Sequence, residues 1–277
     1  MTGKRRRKVA TFHGIDIKIQ RSNFHLKELR KSFEQRLENE AYRFVPEIKE
    51  GGKQHLYRAD NPPPDDERWG LMAGDCVHNL RSALDHLAVQ LVIANRGSPT
   101  TQTYFPIWSR RPQRRIPMIR RAVPLRVKGG VHPKALAMIE DVQPYKGSAS
   151  GTIGNVMKLL ADLDIRDKHR EFITTSSVVG RAKTSLPWDE AAQNPSIANA
   201  TMKFTGQPIK HDQVVAVVFY DPPLMKPDPD LAFTPAITFG RGMPLAGESV
   251  TGGLWLLWQR VGSYITTFRD FFPNYPN

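Results

Sequence analysis

The chain contains a single cysteine, Cys76, among 277 residues. One thiol excludes an intramolecular disulfide and any zinc site built from several cysteines, and it predicts a reducing, cytoplasmic setting. No uninterrupted apolar run reaches membrane length. The best candidate, "GGLWLLWQRVGSYITTF" near the end, is broken by Gln259 and Arg260, so no membrane partner is expected. The opening "MTGKRRRKVATFHG" lacks the apolar core of a secretion signal. There is no internal repeat and no phosphate-cradling glycine loop: "GRGMPLAG" (240–247) lacks the strand-to-helix context that such a loop needs. No cofactor is expected.

Acidic residues are the scarcer charge, 27 against 40 Lys and Arg, which leaves a formal charge of +13. Such an excess favours an anionic partner such as nucleic acid, a nucleotide or an acidic surface. The 22 prolines gather in stretches such as "NPPPDDE" (61–67) and "YDPPLMKPDPD" (220–230), which predict long ordered loops.

Along the chain, a basic arm (1–12) precedes "HGIDIKIQ" (13–20), where Ile15, Ile17 and Ile19 alternate with polar residues at the period of a half-buried strand. Leu26, Leu29, Phe33, Leu37 and Ala41 then recur at helical spacing, predicting a helix over about 23–40. A β-hairpin is expected over 42–60 around "KEGGK". Asp65 or Asp66 is placed to cap a long helix that runs to about Asn95, with Gly97 ending it. Further helices are expected near 132–141 and 152–168. Strands follow at "EFITTSSVV", "ATMKFTG", "QVVAVVFY" and "LAFTPAITF", and a last helix spans about 252–271. With strands at both ends and helices between, the expectation is one α+β domain from residue 13 onward. Its helical core (65–172) would pack on one face of a mixed or antiparallel sheet built from N- and C-terminal strands. A split into two domains near residue 173 is the alternative. The last helix, apolar around much of its circumference, suits core packing first and a homodimer interface second.

The segment "GDCVHNLRSALDHLAVQL" (74–91) has no Lys and no Glu, the residues of an ordinary solvated face. On a helical wheel Ala73, Val77, Leu80, Leu84, Leu87 and Leu91 form one apolar stripe. His78 and Asp85 fall within about 20° of each other opposite it, flanked by Arg81, Ser82, Asp75 and His86. Such residues suit hydrogen-bond networks, proton transfer or metal ligation, and a covering element is expected. The partner segment is "DLDIRDKHR" (162–170), with Asp162, Asp164, Asp167 and His169.

Three readings follow. Arg81 and His86 serve a nuclease, the arginine steadying a phosphate while the histidine exchanges protons, with His78, Asp85 and His169 as further catalytic candidates. In the second, His78, Asp85, His169 and Asp164 or Asp167 hold a divalent metal that activates water. In the third, the same residues form a structural polar network in a non-catalytic nucleic-acid-binding protein. The segment 109–130 carries Arg110, Arg111, Arg114, Arg115, Arg120, Arg121, Arg126 and Lys128 and no acid. It predicts a phosphate-tracking loop.

The strings "GDCVHNLRSALDHLA", "YFPI" (104–107), "QPY" (143–145) and "DKHR" (167–170), covering roughly residues 40–175, resemble a family of bacterial and phage proteins that carry these motifs in this order. Separately, "RSALDH" (81–86) is similar to the Arg-x4-His motif of HEPN-type proteins, all-helical and usually dimeric domains, many of them metal-independent ribonucleases in toxin and antiphage systems. That resemblance implies Arg81 and His86 as a catalytic pair and RNA as substrate. The chain departs from it in its β content and in placing the motif at mid-helix, where the two side chains point about 140° apart.

Overall fold

The computed structural model describes residues 9–110, 130–169, 173, 175–184, 193–228 and 231–272. Among these, the elements run α1 (His13–Asn39), β1 (Arg43–Lys49), β2 (Gln54–Asp60), α2 (Glu67–Ala94), α3 (Pro133–Asp141), α4 (Gly151–His169), β3 (Thr175–Thr184), the single turn α5 (Pro195–Ala198), β4 (Thr201–Phe204), β5 (Val214–Phe219), β6 (Leu231–Phe239) and α6 (Val250–Thr266). The fold is α+β, and every strand pair is antiparallel. Among the described residues no helix is long and apolar enough to cross a membrane.

The strand expected at 13–20 is instead the start of α1. In a strand, Ile15, Ile17 and Ile19 would share one face. Here Ile15 is fully buried while Ile17 is 48% exposed, and Ser22, Leu26 and Leu29 continue the buried side at helical intervals. The turn is fixed by Thr11, whose N–H donates to Gln90 Oε1 and whose Oγ1 accepts from the His13 N–H.

Helix α2 begins where the aspartates place it. Asp66 Oδ1 accepts from the Arg68 N–H at 3.0 Å, while Asp65 Oδ1 accepts from the Ser177 N–H. At the other end Arg96, not Gly97, takes the left-handed turn (φ 61°). The Arg96 N–H then returns to Ile93 O and the Gly97 N–H to Val92 O, the paired bonds of a Schellman motif.

Two compact units divide the chain. One takes in the described residues of Met1–Glu28, Leu71–Ile173 and Gly252–Asn277, and the other those of Leu29–Gly70 and Thr174–Thr251. The boundary between Ile173 and Thr174 falls where the sequence changes from helical to strand periodicity.

In the helical unit the α2 stripe is sealed: Ala73, Val77, Leu80, Leu84, Leu87 and Leu91 are all buried. Each large side chain there contributes about 1.5–3 kcal/mol of burial. Helix α6 adds Leu254, Leu257, Val261 and Ile265 to the interior and the turn after it adds Phe268, and Trp258 Nε1 donates to Ile19 O. Trp255 remains 51% exposed on the outer side of α6.

The strand unit holds a four-stranded sheet in the order β1-β2-β5-β4 and a separate pair, β3-β6. Its N-terminal hairpin thus pairs with C-terminal strands, with Tyr57 opposite Ala216. Tyr57, Val179, Val215, Val218 and Tyr220 are central to its core. His55 is fully buried against the Tyr220 ring, and its Nε2 donates to Leu224 O at 2.7 Å. Gly52 permits that approach, because a Cβ there would lie 2.7 Å from Leu224 O.

Candidate functional site

The polar side of α2 is covered only in part: Asp75, His78 and His86 stay exposed, while Arg81, Ser82 and Asp85 are half-buried, and what covers these last comes from the motif strings themselves. Arg81 and Asp85 stand one helical turn apart, the spacing that brings side chains together. Arg81 Nη2 lies 3.0 Å from Asp85 Oδ1 and donates to Phe105 O at 2.7 Å. Asp85 Oδ1 also accepts the Phe105 N–H at 2.9 Å. Both main-chain polar groups of a fully buried phenylalanine are thereby satisfied by one ion pair. Arg81 Nη1 is buried in the same place without a hydrogen-bond partner. Burial pushes the Asp85 carboxyl above its usual range, against the pull of the Arg81 charge.

The next residues of "YFPI" are held by Gln143 of "QPY". Its Nε2 donates to Pro106 O and to Ile139 O, and its Oε1 accepts the Trp108 N–H at 3.0 Å. The Tyr145 N–H closes the clamp on Trp108 O. Gln143 was not legible as a key residue, because a lone glutamine beside a proline carries no periodic signal. Its coincidence with a second motif string was the one clue.

His86 goes elsewhere. It is exposed, and its ring lies over the first turn of α1, so that a Cβ on Gly14 would stand 3.2 Å from its Nδ1. Arg81 and His86 therefore serve different neighbours, one the Phe105 segment and the other α1.

The remaining polar residues form a seam between α2 and α4. His78 Nδ1 is 3.7 Å from Asp164 Oδ1, and Asp164 Oδ2 takes Lys168 Nζ at 2.8 Å. Asp164 is only 6% exposed, and its Oδ1 has no hydrogen-bond donor. Asp167 lies directly over Gly74, where a Cβ would sit 2.2 Å from its Oδ1. Only glycine leaves room for the carboxylate. Burial raises the Asp167 carboxyl, and the neighbouring Asp164 and Asp75 charges add to that. Asp75 in turn stands 3.7 Å from the buried His25, whose imidazole is lowered by burial.

The seam brings His78 to Asp164 but leaves Asp85 with Arg81 and Phe105. Among the described residues no three His, Cys, Asp or Glu side chains are grouped to hold a metal ion. The His169 side chain lies outside the described residues, as do Arg111, Arg114, Arg115, Arg120, Arg121, Arg126, Lys128 and the basic arm up to residue 8. Arg110 is described and exposed. No family model, curated protein or solved structure matches the chain.

Proposed function

We propose that the chain is a non-catalytic nucleic-acid-binding protein in which "RSALDH" belongs to the scaffold. One observation carries the reading: the Arg81 guanidinium is engaged by Asp85 and the Phe105 carbonyl, at 14% side-chain exposure, which suits a structural lock better than a phosphate clamp. The anionic partner is argued from the +13 charge and from the exposed Arg110 that leads into the arginine-rich segment. The test is anisotropy of a labelled single-stranded RNA over a salt series, with RNA length checked on a gel in EDTA. Expected are salt-weakened binding, uncut RNA, and the same affinity in His86→Ala. Binding unaffected by salt overturns the reading.

A HEPN-like, metal-independent endoribonuclease is the second reading. The exposure of His86, free of the Arg81 lock, favours it. It predicts RNA cut by the wild type in EDTA and left whole by His86→Ala, with a matching difference in bacterial growth on expression.

A further inference from the structure

The strand unit contains a cleft of about 410 Å³, within the range of small-molecule sites. Its floor is the inner face of two paired strands. Met202 and Val218 stand directly opposite each other in the ladder, and Phe204 and Tyr220, each two residues further on, point the same way. That floor is apolar and partly aromatic.

The opposite wall is β3. Four consecutive residues, Gly180 to Lys183, line the cleft. Alternate strand residues face opposite ways, so β3 presents its edge here and not one face. A bulge at Gly180 produces this: the register steps from Val179↔Pro235 to Arg181↔Thr234 with Gly180 left over. Bulges bend a strand and re-aim its side chains.

The polar groups are few and divided by depth. At the rim Arg181 and Lys183 are exposed, and neither has a carboxylate partner among the described residues. Asp228 is 8% exposed and also lines the cleft. It lies close enough to Tyr57 and Tyr220 for its charge to reinforce the upward push that burial gives both phenols. A lipid chain would leave the rim cations without a role, and a sugar would waste the apolar floor.

We propose that this cleft binds a small organic anion with a flat apolar body. Its anionic group lies against Arg181 and Lys183, and its rings lie on Met202, Phe204 and Tyr220. The site is separate from the α2 lock and stands or falls independently of the nucleic-acid reading.

The probe is 8-anilino-1-naphthalenesulfonate, which carries a sulfonate on fused rings, titrated into the full chain and followed by fluorescence. Saturable one-to-one binding is expected. Arg181→Glu with Lys183→Glu weakens it about tenfold or more, the loss of a charge-assisted contact, whereas Lys27→Glu with Lys31→Glu on α1 leaves it unchanged. Ala200→Trp fills the cleft and removes binding, with circular dichroism and thermal unfolding showing that the variant is folded. The proposal is overturned by affinity indifferent to charge reversal at the rim, or by one-to-one binding that survives in folded Ala200→Trp. If Ala200→Trp does not fold, the rim reversal decides, since it alters only exposed residues.

Discussion

Replacing Asp85 tests the lock directly, because alanine and asparagine remove different parts of it. In Asp85→Ala the Phe105 N–H, buried with its ring, loses its acceptor, which costs about 1–3 kcal/mol. The Arg81 pairing is lost as well. With Asp85 one-third exposed in its side chain and Arg81 still bonded to Phe105 O, that adds only about 1 kcal/mol. The total is about 2–4 kcal/mol, a fall in Tm of roughly 4–12 °C for a chain of this size. Asp85→Asn keeps an oxygen for the Phe105 N–H and surrenders the charge, so its cost is about 1 kcal/mol. The two variants also differ from the wild type in pH dependence. The Asp85 carboxyl is raised by burial, so the folded state keeps its proton to higher pH than the unfolded state does. Its contribution is present at low pH and is lost as pH rises from the ordinary carboxylate range through the folded value. Asp85→Asn flattens that decline; it does not abolish it, because Asp167 is raised in the same direction. The assay is thermal unfolding by circular dichroism between acid and neutral pH. An alanine variant as stable as the wild type, or an asparagine variant as damaged as alanine, refutes the lock.

Three further outcomes are expected. Gly74→Ala drives a Cβ to 2.2 Å from Asp167 Oδ1 and destabilises by about 1–3 kcal/mol. On an Asp167→Ala background the same change stabilises by up to about 1 kcal/mol, the helix preference of alanine, as denaturant titration of the four variants shows. Cys76, buried with its Sγ 3.1 Å from Ser22 Oγ and its thiol pushed up to about 11 by burial, resists a thiol reagent at pH 8 in the native protein and reacts on unfolding. Rapid labelling of native protein contradicts this. Arg96→Gly relieves the left-handed φ at the end of α2 and raises stability by about 0.5–1 kcal/mol, readable as a higher Tm.

Element type was legible in the sequence wherever a long periodic pattern met a clear boundary signal. The α2 stripe, the hairpin at 43–60 and strands β5 and β6 all had both. Residues 13–20 failed because three isoleucines at period two fit a helix equally well once Ile17 is allowed to face solvent; packing of Ile15 decided the matter, and local propensity did not. The meeting of His78 with Asp164 followed from the missing Lys and Glu over residues 74–91, since a face of His, Asp, Arg and Ser suits a hydrogen-bonding neighbour. The Phe105 segment as the other cover did not follow. Its contribution is two main-chain groups, and backbone atoms leave no mark in a sequence. The cleft was hidden for a related reason: its walls come from β3, β4 and β5, and nothing in their spacing encodes a bulge at Gly180.

Strand β2 borders β5 on the side away from its hairpin mate, and Arg58 reaches Asp212 across 154 residues of chain. On a ribosome adding about 5–20 residues per second, the hairpin leaves the exit tunnel about 8–30 s before the strand that completes it. Through that interval an apolar ribbon waits with one flank bare, open to a sister nascent chain. Yield of intact protein will therefore depend on translation speed and chaperone supply more steeply than the stability of the finished molecule would suggest.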